Sequence, residues 1–296
     1  MKKEITVLFI LMVGLTSCLR LDSQLFNSEE LSEYKFDSYT GNRELGTLPS
    51  IYAVADSMRN LVTFTSNSSE GAAKLYGVYL GNINYIATDT VILYCHGNAK
   101  HMDNYWNRAK LLAHVGGKHR FGVLMFDYRG YGMSEGKSSE KNIYADAEAA
   151  LKWLQSNGLT SSRLIVYGYS LGSAPSTEIA SSTYSLQPIK LLLEAPFASS
   201  EVMVQDAGKL ALPGSYFTSA KINNADKIKQ VKIPFMWMHG TADSFLSIQT
   251  HGEVLYKNYS GTKGEAYRIA GAEHGDLPMV FGYNNYINAI NDFITK

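Results

Sequence analysis

Cysteine is nearly missing from this chain. There are two among 296 residues, Cys18 and Cys95. Cys18 lies in a leader-like region and Cys95 ends an apolar run, so the two do not read as a pair. Neither a disulfide framework nor a cysteine metal site is expected. Net charge is missing too: Lys plus Arg and Asp plus Glu each total 27. A protein that grips a phosphate backbone needs a basic surface, so nucleic acid is not an expected partner. The sequence holds no glycine-rich phosphate loop, nucleotide fingerprint or metal-ligand cluster, and the chemistry is expected to need no cofactor and no metal. No internal repeat or low-complexity block interrupts it.

What is present begins with an address. Lys2 and Lys3 form a basic start, followed by an apolar run of 11 residues, Ile5 to Leu15. That is short of the roughly 20 residues needed to span a bilayer. Leu15-Thr16-Ser17-Cys18 follows. It resembles the lipobox of bacterial lipoproteins, in which the cysteine becomes the lipidated N-terminus. The resemblance implies removal of residues 1–17, lipid on Cys18, and a protein held to a membrane of the bacterial cell envelope outside the cytoplasm. Several acyl chains on one residue give stable anchoring where one chain is marginal. Residues 18–46 are polar and mixed and read as anchor and tether. Residues 47–296 read as the folded domain.

With 45% apolar and 18% charged residues, the chain is an ordinary globular protein, long enough for one large α/β domain or two smaller ones. Leu61–Thr65 and Lys74–Leu80 look like β segments separated by the turn-rich Asn67–Gly71, an antiparallel opening to a sheet. Buried-type strands follow at Val91–Cys95, Phe121–Phe126, Leu164–Tyr167, Ile189–Leu193, Ile233–Met238 and Tyr267–Ile269. Helical periodicity falls between them. Asn104–Val115 ends at Gly116-Gly117, a C-cap signal. In Ile143–Leu154, the residues Ile143, Ala147, Ala150, Leu151 and Leu154 share one stripe. Asn285–Phe293 closes the chain as a helix. Strands alternating with helices at this spacing predict a mostly parallel sheet with helices on both faces, its ligands at the carboxyl ends of the strands.

One such end carries Gly168-Tyr169-Ser170-Leu171-Gly172. A G-x-S-x-G string between strand and helix forces the serine into a strained turn that lifts its Oγ above the sheet, and the glycines admit close passage of neighbouring chain. A serine hydroxyl is a poor nucleophile without a base, a carboxylate to orient that base, and donors for the oxyanion. The expected order is serine, acid, histidine. Asp243 follows the strand ending at Met238, and His274 follows the last strand. His96 and His239 sit at strand ends but precede the acid; His251 reads as mid-helix, and His101, His114 and His119 as surface. For the acid, Glu194 is the competitor, since it too ends a strand. Asp276 reads as loop chemistry. Oxyanion donors should be rigid backbone N–H groups. Leu171 supplies one, and Asn98 in His96-Gly97-Asn98-Ala99 supplies the other.

These motifs, with Asp127-Tyr128-Arg129-Gly130-Tyr131-Gly132-Met133-Ser134-Glu135-Gly136 between them, resemble the α/β-hydrolase superfamily over residues 60–295. Within it the chain is similar to the group described as serine aminopeptidase-like hydrolases and acyl esterases. The resemblance implies the α/β-hydrolase fold, Ser170, Asp243 and His274 as triad, and Asn98 and Leu171 as oxyanion donors. The Asp127–Gly136 loop reads as a brace for the oxyanion loop rather than a substrate contact of Arg129. Residues 195–232 leave room for a lid of one or two helices, where Phe197, Met203, Leu210, Leu212, Tyr216 and Phe217 are candidates for an acyl pocket. The expected activity is cleavage of carboxylic esters, with thioesters and acylated substrates in its range. Its substrate is a small or acylated molecule, and its other partner is the membrane. The alternatives are a serine peptidase or aminopeptidase using acidic groups such as Glu201 and Asp206, or a non-catalytic surface-binding lipoprotein.

Overall fold

A computed structural model describes residues 21, 25–117, 121–210, 213–262 and 264–296. The expected leader (1–17) and Cys18 lie outside the described residues. Among those described, no helix is long and apolar enough to cross a membrane.

Eight strands form one sheet in the order β1-β2-β4-β3-β5-β6-β7-β8. β1 (Arg59–Ser68) and β2 (Gly71–Leu80) make the antiparallel hairpin at one edge, and β2 runs antiparallel to β4 (Gly122–Phe126). From there β3 (Val91–Cys95), β5 (Leu164–Tyr169), β6 (Lys190–Glu194), β7 (Phe235–Gly240) and β8 (Gly264–Ile269) are all parallel. The central strands are buried along their whole length, which explains their unbroken apolar runs.

Alternation along each strand still sorts side chains between two cores. Ile92, Tyr94, Ile165, Tyr167, Met236 and Met238 face the layer that holds helices α1 (Met102–Ala113) and α8 (Tyr283–Thr295). Val91, Leu93, Leu164, Val166, Phe235 and Trp237 face the layer of α2 (Glu140–Ser156) and α3 (Ser173–Ser181). The stripe read in α2 is the face it buries: Ile143, Ala147, Ala150, Leu151 and Leu154 are all fully enclosed. Ser139 caps that helix, its Oγ accepting from the Asn142 N–H at 3.2 Å.

Between β6 and β7 lie α4 (Ser200–Ala207) and α5 (Asn224–Lys227), with a short 3-10 turn at Gly214–Tyr216. The remaining helices, α6 (Gly252–Asn258) and α7 (Leu277–Phe281), follow β7 and β8. Strand order reverses beside β3, with β4 on one side and β5 on the other, so the loops leaving β3 and β5 flank a crevice at their carboxyl ends.

Residues 25–46, read above as part of a tether, lie along the domain. Leu25, Phe36 and Leu45 are buried, and the backbone N–H groups of Lys35 and Phe36 both donate to the Asp103 carboxylate at 2.8 Å. Three apolar side chains spread among polar ones carry no periodicity, so nothing local announces their burial.

Candidate active site

The turn after β5 is built as its glycines require. Ser170 has φ +49°, a left-handed conformation that a serine adopts at a cost of about 1–3 kcal/mol. A Cβ on Gly172 would lie 1.8 Å from the Cys95 carbonyl oxygen, and one on Gly168 would lie 2.5 Å from that of Gly172. The elbow therefore closes only because these two residues have no side chain. Ser173 Oγ donates to the Ser170 carbonyl at 2.6 Å and fixes the start of α3. Cys95, beneath this turn, is enclosed, and burial pushes its thiol up to about 12, far from thiolate chemistry.

Three loops meet at Ser170. His274 Nε2 lies 2.9 Å from Ser170 Oγ, and its Nδ1 lies 2.8 Å from Asp243 Oδ2. Since Asp243 accepts at Nδ1, that nitrogen carries the hydrogen and Nε2 is left to take the serine proton. Asp243 Oδ1 accepts the N–H groups of Phe245 at 3.0 Å and Leu246 at 2.7 Å. Burial opposes charge on Asp243, but hydrogen bonds from His239 and His274 and the N–H of Leu246 outweigh it. Its carboxyl is held well below the usual carboxylate range.

The loop after β3 is pinned from several directions. Tyr128 donates to the His96 carbonyl at 3.0 Å, Tyr131 to Asn98 Oδ1 at 3.0 Å, and the Ala99 N–H to the Tyr105 hydroxyl at 2.9 Å. His96 Nε2 stands 3.0 Å from Asp127 Oδ1, both fully buried. Asn98 and Leu171 both border the cavity in front of Ser170. Arg129 turns away from it. Its Nε donates to Asp146 Oδ1 at 2.8 Å, and its other nitrogens reach Ser66, Ser68 and the Gly71 carbonyl. The Asp127–Gly136 loop is a brace between the hairpin and the loop after β3.

The rival residues have other occupations. Glu194 is fully buried and paired with Arg108; it also accepts from Tyr167 and, at 2.8 Å, from Tyr286. His239 Nε2 faces Asp243 Oδ2 at 3.0 Å, behind the carboxylate. His251 precedes α6 rather than sitting within a helix. Its Nδ1 accepts the Ala198 N–H at 3.0 Å, and burial holds it down to about 4. His101 and His114, expected at the surface, are buried. His101 sits edge-on to Tyr39 at the start of α1, and His114 lies against Tyr52 and the Lys110 carbonyl. Helix α1 is covered by the N-terminal segment, so its outward face is not a surface. His119 lies outside the described residues. Asp276 Oδ1 accepts the Glu273 N–H at 2.7 Å, a contact within its own loop.

Several supports escaped the sequence reading. Tyr169 donates to the His274 carbonyl at 3.2 Å, and Arg108 Nη2 donates to the Gly275 carbonyl at 3.3 Å, with its guanidinium 4.1 Å from the Tyr169 ring centre. Glu273 Oε2 accepts from both N and Oγ of Ser244, tying the His274 loop to the Asp243 loop. Tyr169 ends β5, but Arg108 lies inside α1 and Glu273 and Ser244 in loops, and nothing local marks any of them as a partner of the site.

A cavity of about 360 Å3 opens in front of Ser170, walled by Leu25, Met203, Val204, Ala207 and Phe245. Of the expected pocket residues, Met203 lies on it. Phe197 is in the core, Tyr216 is 62% exposed, and Leu212 lies outside the described residues. Among the described residues, no group of three or more His, Cys, Asp and Glu side chains is arranged to hold a metal ion.

Comparison with known proteins bears on the fold. Residues 90–191 match the family model for the alpha/beta hydrolase fold. The human alpha/beta hydrolase domain-containing protein 17B is 30% identical over 207 residues, covering 69% of this chain and 66% of the relative. The Caenorhabditis elegans alpha/beta hydrolase domain-containing protein aho-3 is 32% identical over 206 residues, covering 69% of this chain and 57% of the relative. The chain thus spans somewhat less than two thirds of these relatives. Among solved structures, the esterase Pf2001 of Pyrococcus furiosus superposes with a TM-score of 0.66 at 17% identity, over 92% of this chain and 97% of that one. The eight-stranded sheet, the strained serine turn between β5 and α3, and these likenesses together make the chain a member of the α/β-hydrolase superfamily.

Proposed function

We propose that the chain is a serine hydrolase cleaving carboxylic esters of apolar acyl groups, thioesters included. Ser170 Oγ attacks the carbonyl carbon while His274 Nε2 takes its proton, and Asp243 holds the imidazole in the required tautomer and stabilises the imidazolium. Backbone N–H groups of Asn98 and Leu171 receive the oxyanion. The imidazolium then protonates the departing alcohol or thiol. Water, deprotonated by the same imidazole, releases the acid from the acyl-enzyme.

The observation that carries this reading is the unbroken chain Ser170–His274–Asp243, at 2.9 and 2.8 Å, opening into an apolar cavity. Among the described residues lining that cavity none is charged, which favours an acyl group over the free amine an aminopeptidase must hold. Glu201 and Asp206 are absent from the lining. Asp206 is taken up by Thr250 and stands 3.4 Å from His251. Esterases from Pyrococcus furiosus and Rhodococcus share this fold.

Labelling by a fluorophosphonate probe tests the reading. Wild type should label covalently, and Ser170→Ala and His274→Ala should not. A folded wild type that resists labelling overturns it and favours the binding-lipoprotein alternative. The same proposal includes lipid on Cys18, with the domain held at the bacterial envelope outside the cytoplasm. Cys18→Ala should release the protein from membranes; a variant that stays bound as tightly as wild type rejects the anchor.

A further inference from the structure

The N-terminal segment supplies part of the catalytic cavity. Leu25 is 3% exposed and lines two spaces at once: the 360 Å3 cavity that reaches Ser170, and a neighbouring groove of about 700 Å3 bordered by Ser139 and Glu140 at the start of α2. Leu25 thus stands where the two spaces adjoin.

The chain just after it is held by backbone bonds to the loops around the site. The Asn27 N–H donates to Asn98 Oδ1 at 2.6 Å, and the Lys100 N–H donates to the Asn27 carbonyl at 3.0 Å. A parallel bridge pairs Ser28 with Lys100, and a second pairs Glu30 with Gly132. Leu31 and Gly132 add N–H bonds to Gly132 and Glu29 carbonyls at 2.8 and 2.9 Å. Five residues, Asn27 to Leu31, just beyond Leu25 in the chain, are thereby fixed against the oxyanion loop and its brace. The opposite wall, Met203, Val204 and Ala207 of α4 with Phe245, is apolar as well.

We propose that Leu25 is a specificity-determining residue: it closes the far end of the acyl channel and limits the enzyme to short and medium acyl chains. The proposal rests on Ser170 being the acylated nucleophile. Each methylene buried in an apolar cavity tightens binding roughly fourfold, so the point at which a channel ends is written into the dependence of rate on chain length. Truncating Leu25 removes three carbons from the partition and joins the cavity to the groove. Enlarging it shortens the channel.

The test uses the full chain and p-nitrophenyl acetate, octanoate and dodecanoate. Leu25→Trp should lower the octanoate-to-acetate ratio of kcat/KM at least tenfold. Leu25→Ala should raise the dodecanoate-to-octanoate ratio by a similar factor, and Leu25→Phe gives the shortening if the tryptophan variant does not fold. Changes below threefold in folded variants overturn the partition. Wild type that cleaves none of the three esters rejects the esterase reading instead. The partition is then judged by the melting temperature of Ser170→Ala, alone and combined with Leu25→Ala, in octanoic and dodecanoic acid. Stabilisation by dodecanoic acid only in the Leu25→Ala background supports it, and an identical response in both backgrounds overturns it.

Discussion

His239 Nε2 stands 3.0 Å from Asp243 Oδ2, the same oxygen that receives His274 Nδ1 at 2.8 Å. The second contact of His239 Nε2 is the Leu246 carbonyl at 2.9 Å, which only accepts, so this nitrogen carries a hydrogen. With the N–H groups of Phe245 and Leu246 on Oδ1, the carboxylate has four donors. In the proposed mechanism His239 is a positioning residue acting through Asp243.

Removing that support should slow the chemistry without weakening substrate binding. His239→Ala is expected to lower kcat roughly 10- to 100-fold, the equivalent of one hydrogen bond to a charged group. KM should stay within twofold. His239→Gln, whose amide can donate to the same oxygen, should recover most of the loss. Steady-state kinetics on an ester substrate decides this; an equal fall of both variants, or a change confined to KM, removes the positioning role.

Acid should unfold the protein in two windows. The His251 imidazole is held down to about 4 by burial, against a carboxylate, Asp206, that pulls the other way. Between the ordinary histidine value near 6.5 and about 4, the unfolded chain binds a proton that the folded one refuses. Stability is therefore whole above about pH 6.5 and falls as pH drops towards 4. Asp243, held below the carboxylate range, adds stability that is present above about pH 4 and is lost only at lower pH. Melting temperatures from pH 8 to 3 should show His251→Asn flattening the upper window and Asp243→Asn the lower. Parallel curves for all three proteins refute the assignment.

Gly172 should tolerate no side chain. The Cβ of Gly172→Ala would collide with the backbone of Cys95, which is locked in a central strand and has no room to yield. A loss of at least ~3 kcal/mol is expected, with failure to accumulate as folded protein. Gly271→Ala is the contrast: no atom stands within 4 Å of its Cβ position, and its only penalty is the left-handed φ of +76°. Chemical denaturation of the pair measures the difference.

Arg108 and Glu194 form a fully buried ion pair beneath the His274 loop. Arg108→Ala should cost about 3–5 kcal/mol, because Glu194 is left charged and enclosed. Arg108→Met combined with Glu194→Leu should be less destabilising than Arg108→Met alone, since the fully enclosed Glu194 charge goes with its partner and only Glu44, 3.1 Å from Arg108 Nε and reached by some solvent, is left unpaired. Denaturation of the two singles and the double gives the coupling; additive losses would mean the pair is not interacting.

The arrangement of strands and the elbow were legible in sequence because both rest on local signals. Central strands buried on two faces need continuous apolar runs, and a serine forced into φ +49° needs glycines around it. Hence Val91–Cys95, Leu164 onward and Gly168–Gly172 stand where the pattern put them. Asp243 and His274 were picked out by their order and by their places at strand ends. What joins them to Ser170, across 104 residues of chain, is the parallel sheet itself.

Local pattern determined the doubly covered parallel sheet, its antiparallel opening and the strained serine turn. Periodicity and glycine spacing act within a few residues, and those elements answer to nothing else. Tertiary structure alone decided that Glu194 pairs with Arg108, that Arg129 serves the hairpin, that His101 and His114 are enclosed, and that Leu25 walls the cavity. Each depends on which distant segment covers which surface, and a carboxylate, a guanidinium or a solitary leucine carries no mark of its eventual neighbour.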